Sequence, residues 1–575
     1  MVNEEIADIF DRMSRVLDFK GRDRFRSLAY ERAARSLRGL DQGVEEMARG
    51  GKLEDIPGVG HDLSEMIEEY IETGHIRRVE KECRNVPAKL IEAMDIPGLG
   101  PKTLALLHQK YRIKSLADLK RLINSGKLEK MRGFGAKKIE NLRRGISLLE
   151  ASKRRMLLGL ALPRAEKLLE DARKIPGVER ADLAGSIRRR RETIGDIDML
   201  IISADSARAL SEFVKLPAIK QVIARGDTRA TAIIEGGIQV DVRAVPRESY
   251  GAALQYFTGS KDHSVRLRTV ALHRGLKLNE YGVFRGEKRI GGKDENEVYR
   301  LLGMTAPPPE LREDRGEIEA ATKKRLPKLI EVADLRGDLH MHTTWSDGRA
   351  SVEEMVETAA ELGYEYVALT DHSPSARIAH GLDPDRLEEK IEEVEAVRKK
   401  RGRRKPRILL GSEVDILPDG RLDYPDEILE RLDVVVASLH GAFRQSRDRM
   451  TGRLLDAIAN PYVHVIGHPT TRLIGGREPV EFDFERVVQA ATEAGVALEV
   501  NGQPSRLDLS DTLARAALEA GALLAIDSDA HSRAQLVQIR YGVFDARRGW
   551  VEASSVVNTW PWAKFSRWLR RRRKR

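Results

Sequence analysis

The chain of 575 residues holds a single cysteine, Cys83. No internal disulfide can form, and no metal site built on clustered thiolates is available. The sequence also lacks any run of about 18 apolar residues, so no membrane-spanning helix is expected. Acidic residues are outnumbered, 90 against 100 Lys+Arg, leaving a net charge of +10 and a pI near 9.4. Such a balance favours a polyanionic partner. Met1 to Phe10 is acidic and amphipathic, unlike a secretory signal. The expectation is a monomeric cytoplasmic protein with no membrane partner. With 33% charged and 41% hydrophobic residues, the chain can build several globular domains of roughly 100–200 residues each.

What is present centres on Gly185 to Ile202: a Gly-Ser pair, the run Arg188–Arg191, then Gly195-Asp196-Ile197-Asp198 leading into Met199–Ile202. If Asp196 begins a strand, Asp196 and Asp198 share one face and Ile197 takes the other. Two like charges on one face stay ionised together only around a cation. Gly185 and Ser186 supply a tight turn whose N–H groups can approach phosphate oxygens. The arginines add charge-assisted donors. Acids for metal beside donors for phosphate point to phosphoryl or nucleotidyl transfer. Some forty residues on, Asp241 lies between Val240 and Val242 in an apolar run, where a carboxylate needs a partner. If the two strands are neighbours, Asp241 completes a triad.

Before this stretch the chain reads as helices. Ile6, Ile9, Phe10, Met13 and Leu17 follow a helical period, as do Phe25, Leu28, Ala29, Ala33 and Leu37. Three Gly-x-Gly turns each precede a helix: Gly58/Gly60, Gly98/Gly100 and Gly133/Gly135. Each offers free N–H groups and the positive end of a helix dipole to a phosphate, without reading a base. One such turn is common to any αα-hairpin. Two copies with an Ile-Pro-Gly-x-Gly core and a looser third resemble the helix-hairpin-helix motif of DNA-binding proteins.

After Asp241 comes Tyr256-Phe257-Thr258-Gly259-Ser260-Lys261-Asp262-His263. Aromatics beside a glycine could stack on a base and wall off a sugar; a core aromatic pair at a turn is the alternative. A helix should follow, then a strand over Leu276–Phe284. Residues 1 to about 312 thereby resemble family X DNA polymerases, in the order lyase-like domain, fingers, palm and thumb. The resemblance implies Mg²⁺ (or Mn²⁺) on Asp196, Asp198 and Asp241. It implies triphosphate contacts from Gly185, Ser186, Arg189 and Gly195, and a sugar pocket of Tyr256, Phe257 and Gly259. Asp262 and Arg268 would face the nascent base pair and template. Arg190 and Arg191 are read as solvated. The implied partners are dNTPs and gapped or nicked duplex DNA with its 3′ ends. One position departs from the family. Members with 5′-deoxyribose phosphate lyase activity carry a lysine where this chain has Met66, and Asp62 stands at a neighbouring position often taken by lysine. A thioether cannot form an imine, so DNA-end binding is the reading of this domain, with Tyr30 and Arg26 as contacts to a 5′-phosphate.

Leu302 to Arg336 reads as a linker, with Pro307–Pro309 and a charged helix from Ile318 to Ile330. Beyond it, apolar runs alternate with helices, as in a parallel sheet or β/α barrel. Functional residues of barrels gather at the C-terminal strand ends. Of the eight histidines after residue 335, six fall at such positions: His340, His342, His372, His440, His468 and His531. His340 and His342 alternate on an expected strand and so face one side. Imidazoles with carboxylates suit Zn²⁺, Mn²⁺ or Fe²⁺. The arrangement resembles the PHP (polymerase and histidinol phosphatase) domain, which implies up to three ions on His340, His342, Asp347, His372, Glu413, His440, His468, Asp529 and His531. His380 is left as a possible substrate contact and His464 as core. The chemistry implied is phosphoester hydrolysis at a DNA end: a 3′ nucleotide, a 3′-phosphate or an abasic-site phosphodiester. The closing basic run, Arg570–Arg575, is read as disordered, either adding salt-sensitive phosphate contacts or only solubilising the chain.

The expected fold is multidomain. It comprises a lyase-like helical domain (1–95), fingers (96–150), an α+β nucleotidyltransferase palm (151–245), a thumb (246–312), a linker (313–335) and a distorted β/α PHP barrel (336–575). The leading functional reading is a gap-filling DNA polymerase of base excision repair with 3′–5′ exonuclease, and possible abasic-site endonuclease or 3′-phosphatase, activity. The alternative is a PHP phosphoesterase whose N-terminal half only tethers DNA.

Overall fold

Five strands, β1 (Val178–Leu183), β2 (Asp196–Ser203), β3 (Ile219–Arg225), β4 (Arg229–Ile234) and β5 (Gln239–Ala244), form a sheet in the order β1-β2-β5-β4-β3. Only β2 and β5 run parallel. Side-chain alternation along β2 divides the packing. Ile197, Met199 and Ile201 join the helices Leu158–Arg173 and Ser206–Phe213 in one core. Leu200 and Ile202 pack on Tyr250 and Leu254 of the helix Tyr250–Thr258. Asp196 and Asp198 share the second face by parity. The helix expected from Pro163 to Ile175 spans Leu158–Arg173.

The computed structural model describes residues 2–21, 24–38, 44–84, 86–96, 99–128 and 155–572, with isolated positions between 131 and 146. One unit, Met1–Lys153 with Gly475–Arg477, is helical; the other, Arg154–Ile474 with Glu478–Arg575, holds the rest. In the first unit, Phe10, Met13, Leu17, Leu37, Ile67, Leu104 and Leu119 belong to one apolar core. Phe25, expected on an apolar face, is 86% exposed.

After the five-stranded sheet comes an antiparallel sheet of β6 (Lys277–Asn279), β7 (Gly282–Arg285) and β8 (Lys288–Gly291). The single strand expected over Leu276–Phe284 is thus a hairpin. Asn279 Oδ1 accepts from Tyr281 N at 3.0 Å and turns the chain. The expected linker is docked structure. Its helix runs only Glu317–Thr322, because Lys324 takes a positive φ and Pro327 cannot continue a helix. Glu317 is fully buried against His263 (2.5 Å).

Seven parallel strands follow in chain order: β9 (Gly337–Asp338), β10 (Tyr366–Leu369), β11 (Arg407–Asp415), β12 (Val434–Ser438), β13 (Val465–Ile466), β14 (Ala497–Asn501) and β15 (Leu523–Asp527). A parallel bridge from Met341 to Ala530 brings the first strand to the last, giving a near-closed barrel. Val434 and Val436 belong to the inner cluster, Val435 and Ala437 to the outer one. The chain end is no disordered tail as far as Arg572. A helix, Trp562–Arg572, buries Phe565, Trp568 and Leu569 in that inner cluster. Phe565 stacks on Tyr366 with ring centroids 4.2 Å apart. Arg573–Arg575 lie outside the described residues.

Candidate active sites

In the five-stranded sheet, parallel pairing sets Asp198 directly opposite Asp241, and Asp196 opposite Gln239. Gly185 follows β1 with φ +62°, and a Cβ built on it would lie 2.2 Å from Asp198 Oδ2. Only glycine allows the turn to press against that carboxylate. Burial, then the charges of Asp196 and Asp241, push Asp198 up to about 7. Asp241 is 7% exposed. Burial would raise its pKa, yet bonds from Thr231 (2.6 Å), Arg229 and Gln239 (both 2.7 Å) pull it below the usual range. Three carboxylates, one of them favouring its proton, have the donor chemistry of a divalent-cation site. Asp241 Oδ1 is engaged by Arg229 and Thr231 and its Oδ2 by Gln239.

Ser186 lies in the short helix Gly185–Arg188. Gly195 precedes β2, its Cβ direction 3.1 Å from Arg155 Nη1. Arg189 reaches the Thr258–Gly259 turn, donating to Thr258 O and to Glu313 (3.1 Å). The structure thus brings the Gly-Ser turn, Arg189 and the Tyr256–Gly259 segment together, with Tyr256 and Phe257 packed edge to face at 5.1 Å. Asp262 and Arg268 are exposed on the helix Lys261–His273. Arg190 is not solvated as expected. Its guanidinium lies over the Phe544 ring at 4.6 Å, and Nη1 is buried.

In the helical unit, Gly60 and Gly100 are the N-cap residues of His61–Thr73 and Pro101–Tyr111. Gly58 has φ +81°, and Gly135 has open space around its Cβ direction. Gly98 and Gly133 lie outside the described residues. Arg26 is exposed. Tyr30, expected as a phosphate contact, is 3% exposed. Its ring packs on Phe10 and its hydroxyl points at Met66 Sδ (3.6 Å), which makes it a core residue.

At the barrel's C-terminal end the nine expected residues converge. Their potential ligand atoms form overlapping groups: His342/Asp347/His372/His531, His340/His342/Asp529 and His372/Glu413/His440, each within 4.8 Å. His468 adds Nε2 at 2.9 Å from Glu413 Oε1. β9 ends at Asp338, so His340 and His342 follow the strand instead of alternating within it. The bridge at Met341 keeps both rings on the cluster side. Burial disfavours charge on His440 and His531, yet neighbouring carboxylates, Glu413 and Asp347 foremost, hold them at about 10 and about 9. The same proximity keeps Glu413, Asp347 and Asp529 far below the carboxylate range despite burial. Burial, helped by His531 and His372, pushes His342 down to about 4. His340 Nε2, both ring nitrogens of His342, Asp347 Oδ1, His372 Nδ1 and His468 Nδ1 are buried without a hydrogen-bond partner. Orphaned imidazole and carboxylate atoms in one cavity fit cations of the Mn²⁺, Fe²⁺ or Zn²⁺ type. His464 is buried in the barrel wall, and His380 lies apart in a left-handed turn.

Sequence reasoning missed the groups behind the cluster. Glu499 accepts from His340 Nδ1 at 2.7 Å, and Asp415 pairs with His440 Nδ1, fixing which ring nitrogen faces the cluster. Fully buried Lys390 pairs with Asp371 at 3.0 Å, and Asp371 accepts from Thr343 N and Ser346 Oγ at 2.7 Å. Glu499 carried the same signal as Asp241, an acid inside an apolar strand.

A nucleotidyltransferase-like palm and thumb in one unit with a PHP-type barrel define a polymerase–phosphoesterase class. Family profiles agree, matching "DNA polymerase beta thumb" at residues 253–313, "Helix-hairpin-helix domain" at 1–76 and "PHP domain" at 338–503. The chain is 36% identical over 563 residues to the DNA polymerase/3′-5′ exonuclease PolX of Bacillus subtilis (strain 168), covering 97% of both chains. It is 37% identical over 210 residues to a probable phosphatase of Thermoanaerobacter sp. (strain X514), covering 34% of this chain and 78% of that protein. With DNA polymerase lambda of Arabidopsis thaliana it shares 24% identity over 340 residues, 53% of this chain and 60% of the relative. The chain belongs to the PolX family, the family X DNA polymerases that carry a PHP domain.

Proposed function

We propose that this protein is a DNA-directed DNA polymerase that fills short gaps during base excision repair and trims 3′ ends with its barrel. The domain limits are those read from the sequence, with 313–335 docked structure in place of a free linker; the thumb profile covers 253–313 and the PHP profile 338–503 of the expected 336–575. Asp196, Asp198 and Asp241 would hold Mg²⁺ or Mn²⁺, and the nine barrel residues up to three ions of the Mn²⁺, Zn²⁺ or Fe²⁺ type. Bound divalent ions supply Lewis acidity and lower the pKa of a coordinated water. The chain's residues do the rest. Gly185 and Ser186 lend a turn to the triphosphate. Arg189, braced by Glu313, adds positive charge beside Thr258 and Gly259. Glu499 and Asp415 orient the imidazoles. The helix starts at Gly60 and Gly100 would grip backbone phosphates of gapped or nicked duplex without reading sequence. The protein would act as a cytoplasmic monomer on DNA and dNTPs.

The observation that carries the reading is the Asp198–Asp241 register beside Gly185, in the same unit as the nine-residue cluster. It favours this reading over a phosphoesterase with a mere DNA tether. The test is a pair of variants on a gapped duplex. Asp196→Ala with Asp198→Ala is expected to abolish dNTP incorporation and spare end trimming. His340→Ala with His342→Ala is expected to do the reverse. Unchanged incorporation in the first pair would show the polymerase site misplaced.

A further inference from the structure

The loop after β14 presents a guanidinium that the fold leaves incompletely bonded. Arg506 Nε lies 3.8 Å from Asp529 Oδ2, yet its Nη1 is buried with no hydrogen-bond partner. Asp529 in turn stands 3.4 Å from His342 Nε2 and belongs to the barrel cluster. Arginine carries five N–H donors, and a buried donor without an acceptor is costly. Among the described residues two other arginines have an orphaned buried nitrogen: Arg190 Nη1, which is capped by Phe544 in the palm, and Arg401 Nε. Arg506 is the one beside the cluster, where its planar fork matches the oxygens of a phosphate.

The loop is held from both sides. Arg506 N donates to Gln503 O at 2.8 Å. Asn501 Nδ2 (3.0 Å) and Gln503 Nε2 (2.8 Å) tie its neighbours to Asp529. Arg472 donates to Arg506 O at 2.8 Å and reaches Glu192 of the palm at 2.9 Å. Leu507, 1% exposed, packs in the palm core. A Cβ on Gly159 of the palm would strike Pro504 at 2.4 Å, so that contact is close on the palm side too.

We propose that Arg506 binds a non-bridging oxygen of the scissile phosphate during 3′–5′ trimming, from a loop that the palm holds in place. The inference rests on the hydrolytic reading of the barrel cluster. The step it serves adds water across the P–O3′ bond. The water oxygen joins phosphorus and a proton goes to the departing 3′-oxygen, giving a nucleoside 5′-monophosphate and a strand one residue shorter. Arg506 keeps its own protons throughout and contributes charge and orientation.

The test uses the full chain with Arg506→Ala, Arg506→Gln and Arg506→Lys. A 5′-labelled single strand with Mn²⁺ gives kcat and KM, metal content is measured directly, and thymidine 5′-monophosphate serves as the probe for product binding. Arg506→Ala and Arg506→Gln are expected to lower kcat/KM roughly 100-fold or more and to weaken the monophosphate. Metal content and gap filling should match wild type, and Arg506→Lys should recover part of the loss. Wild-type trimming rates in Arg506→Ala, or loss of rate in step with loss of metal, would overturn the proposal. A wild-type enzyme that binds metal but trims no strand would instead overturn the reading beneath it.

Discussion

Replacing Gly185 by alanine is expected to cripple incorporation while leaving the protein folded and its end trimming intact. Two costs arise from the structure. Gly185 has φ +62°, and a non-glycine residue there costs about 1–2 kcal/mol. The new methyl would lie 2.2 Å from Asp198 Oδ2, so the carboxylate or the turn must shift by about 1 Å to reach ordinary contact. The first cost is modest for a unit with this much buried core and amounts to a few degrees of melting temperature. The second falls on the reacting geometry, where a misplacement of about 1 Å costs on the order of 100-fold. Single-nucleotide incorporation on a gapped duplex should therefore fall roughly 100-fold in kcat, with trimming of a 3′ overhang unchanged. If Gly185→Ala incorporates at the wild-type rate, the close packing of the turn on Asp198 has no part in catalysis.

Three other perturbations read different parts of the molecule. Glu295 is held at about 2, because Arg312 and Arg188 outweigh its burial. A depressed carboxylate stabilises the fold above its unfolded pKa and loses that contribution as pH falls, here between about 4.5 and about 2. The drop corresponds to about 3 kcal/mol, so the melting gap between wild type and Glu295→Gln should be wide at neutral pH and should narrow steadily below pH ~4.5; a gap independent of pH would contradict the pairing. Met66 is 5% exposed with Tyr30 Oη 3.6 Å from its sulfur; Met66→Lys should lower the melting temperature and form no borohydride-trappable adduct with a 5′-deoxyribose phosphate end, whereas a trapped adduct would mean that the position is open to substrate. Phe565→Ala should cost about 3–5 kcal/mol by opening the barrel's inner cluster beside Tyr366, and an unchanged denaturation midpoint would show the terminal helix to be peripheral.

Much of this was legible because the chemistry is written in local pattern. Acids within apolar strands, paired glycines before helices and histidines at strand ends each carry a cost that only a function or a specific partner repays. Asp241 was found that way, and Glu499 was open to the same argument. Long-range partners were not legible. Nothing in the sequence says that Arg189 leans on Glu313, that Arg190 is capped by Phe544, or that Arg472 reaches Glu192. The terminal basic run read as a tail because its charges mask Phe565, Trp568 and Leu569, which are spaced along one helix face and pack into the barrel. Tyr30, offered with Arg26 as a 5′-phosphate contact from the family resemblance, was claimed by the tertiary core.

The most direct test of two active sites on one chain is the wild-type protein on a 5′-phosphorylated single-nucleotide gap with Mn²⁺, sampled with and without dNTPs. The account predicts primer extension by the missing nucleotide when dNTPs are present and stepwise 3′ shortening when they are absent. His340→Ala with His342→Ala should abolish only the shortening, and Asp196→Ala with Asp198→Ala only the extension. Loss of both activities in either pair would contradict separate sites in the palm and the barrel.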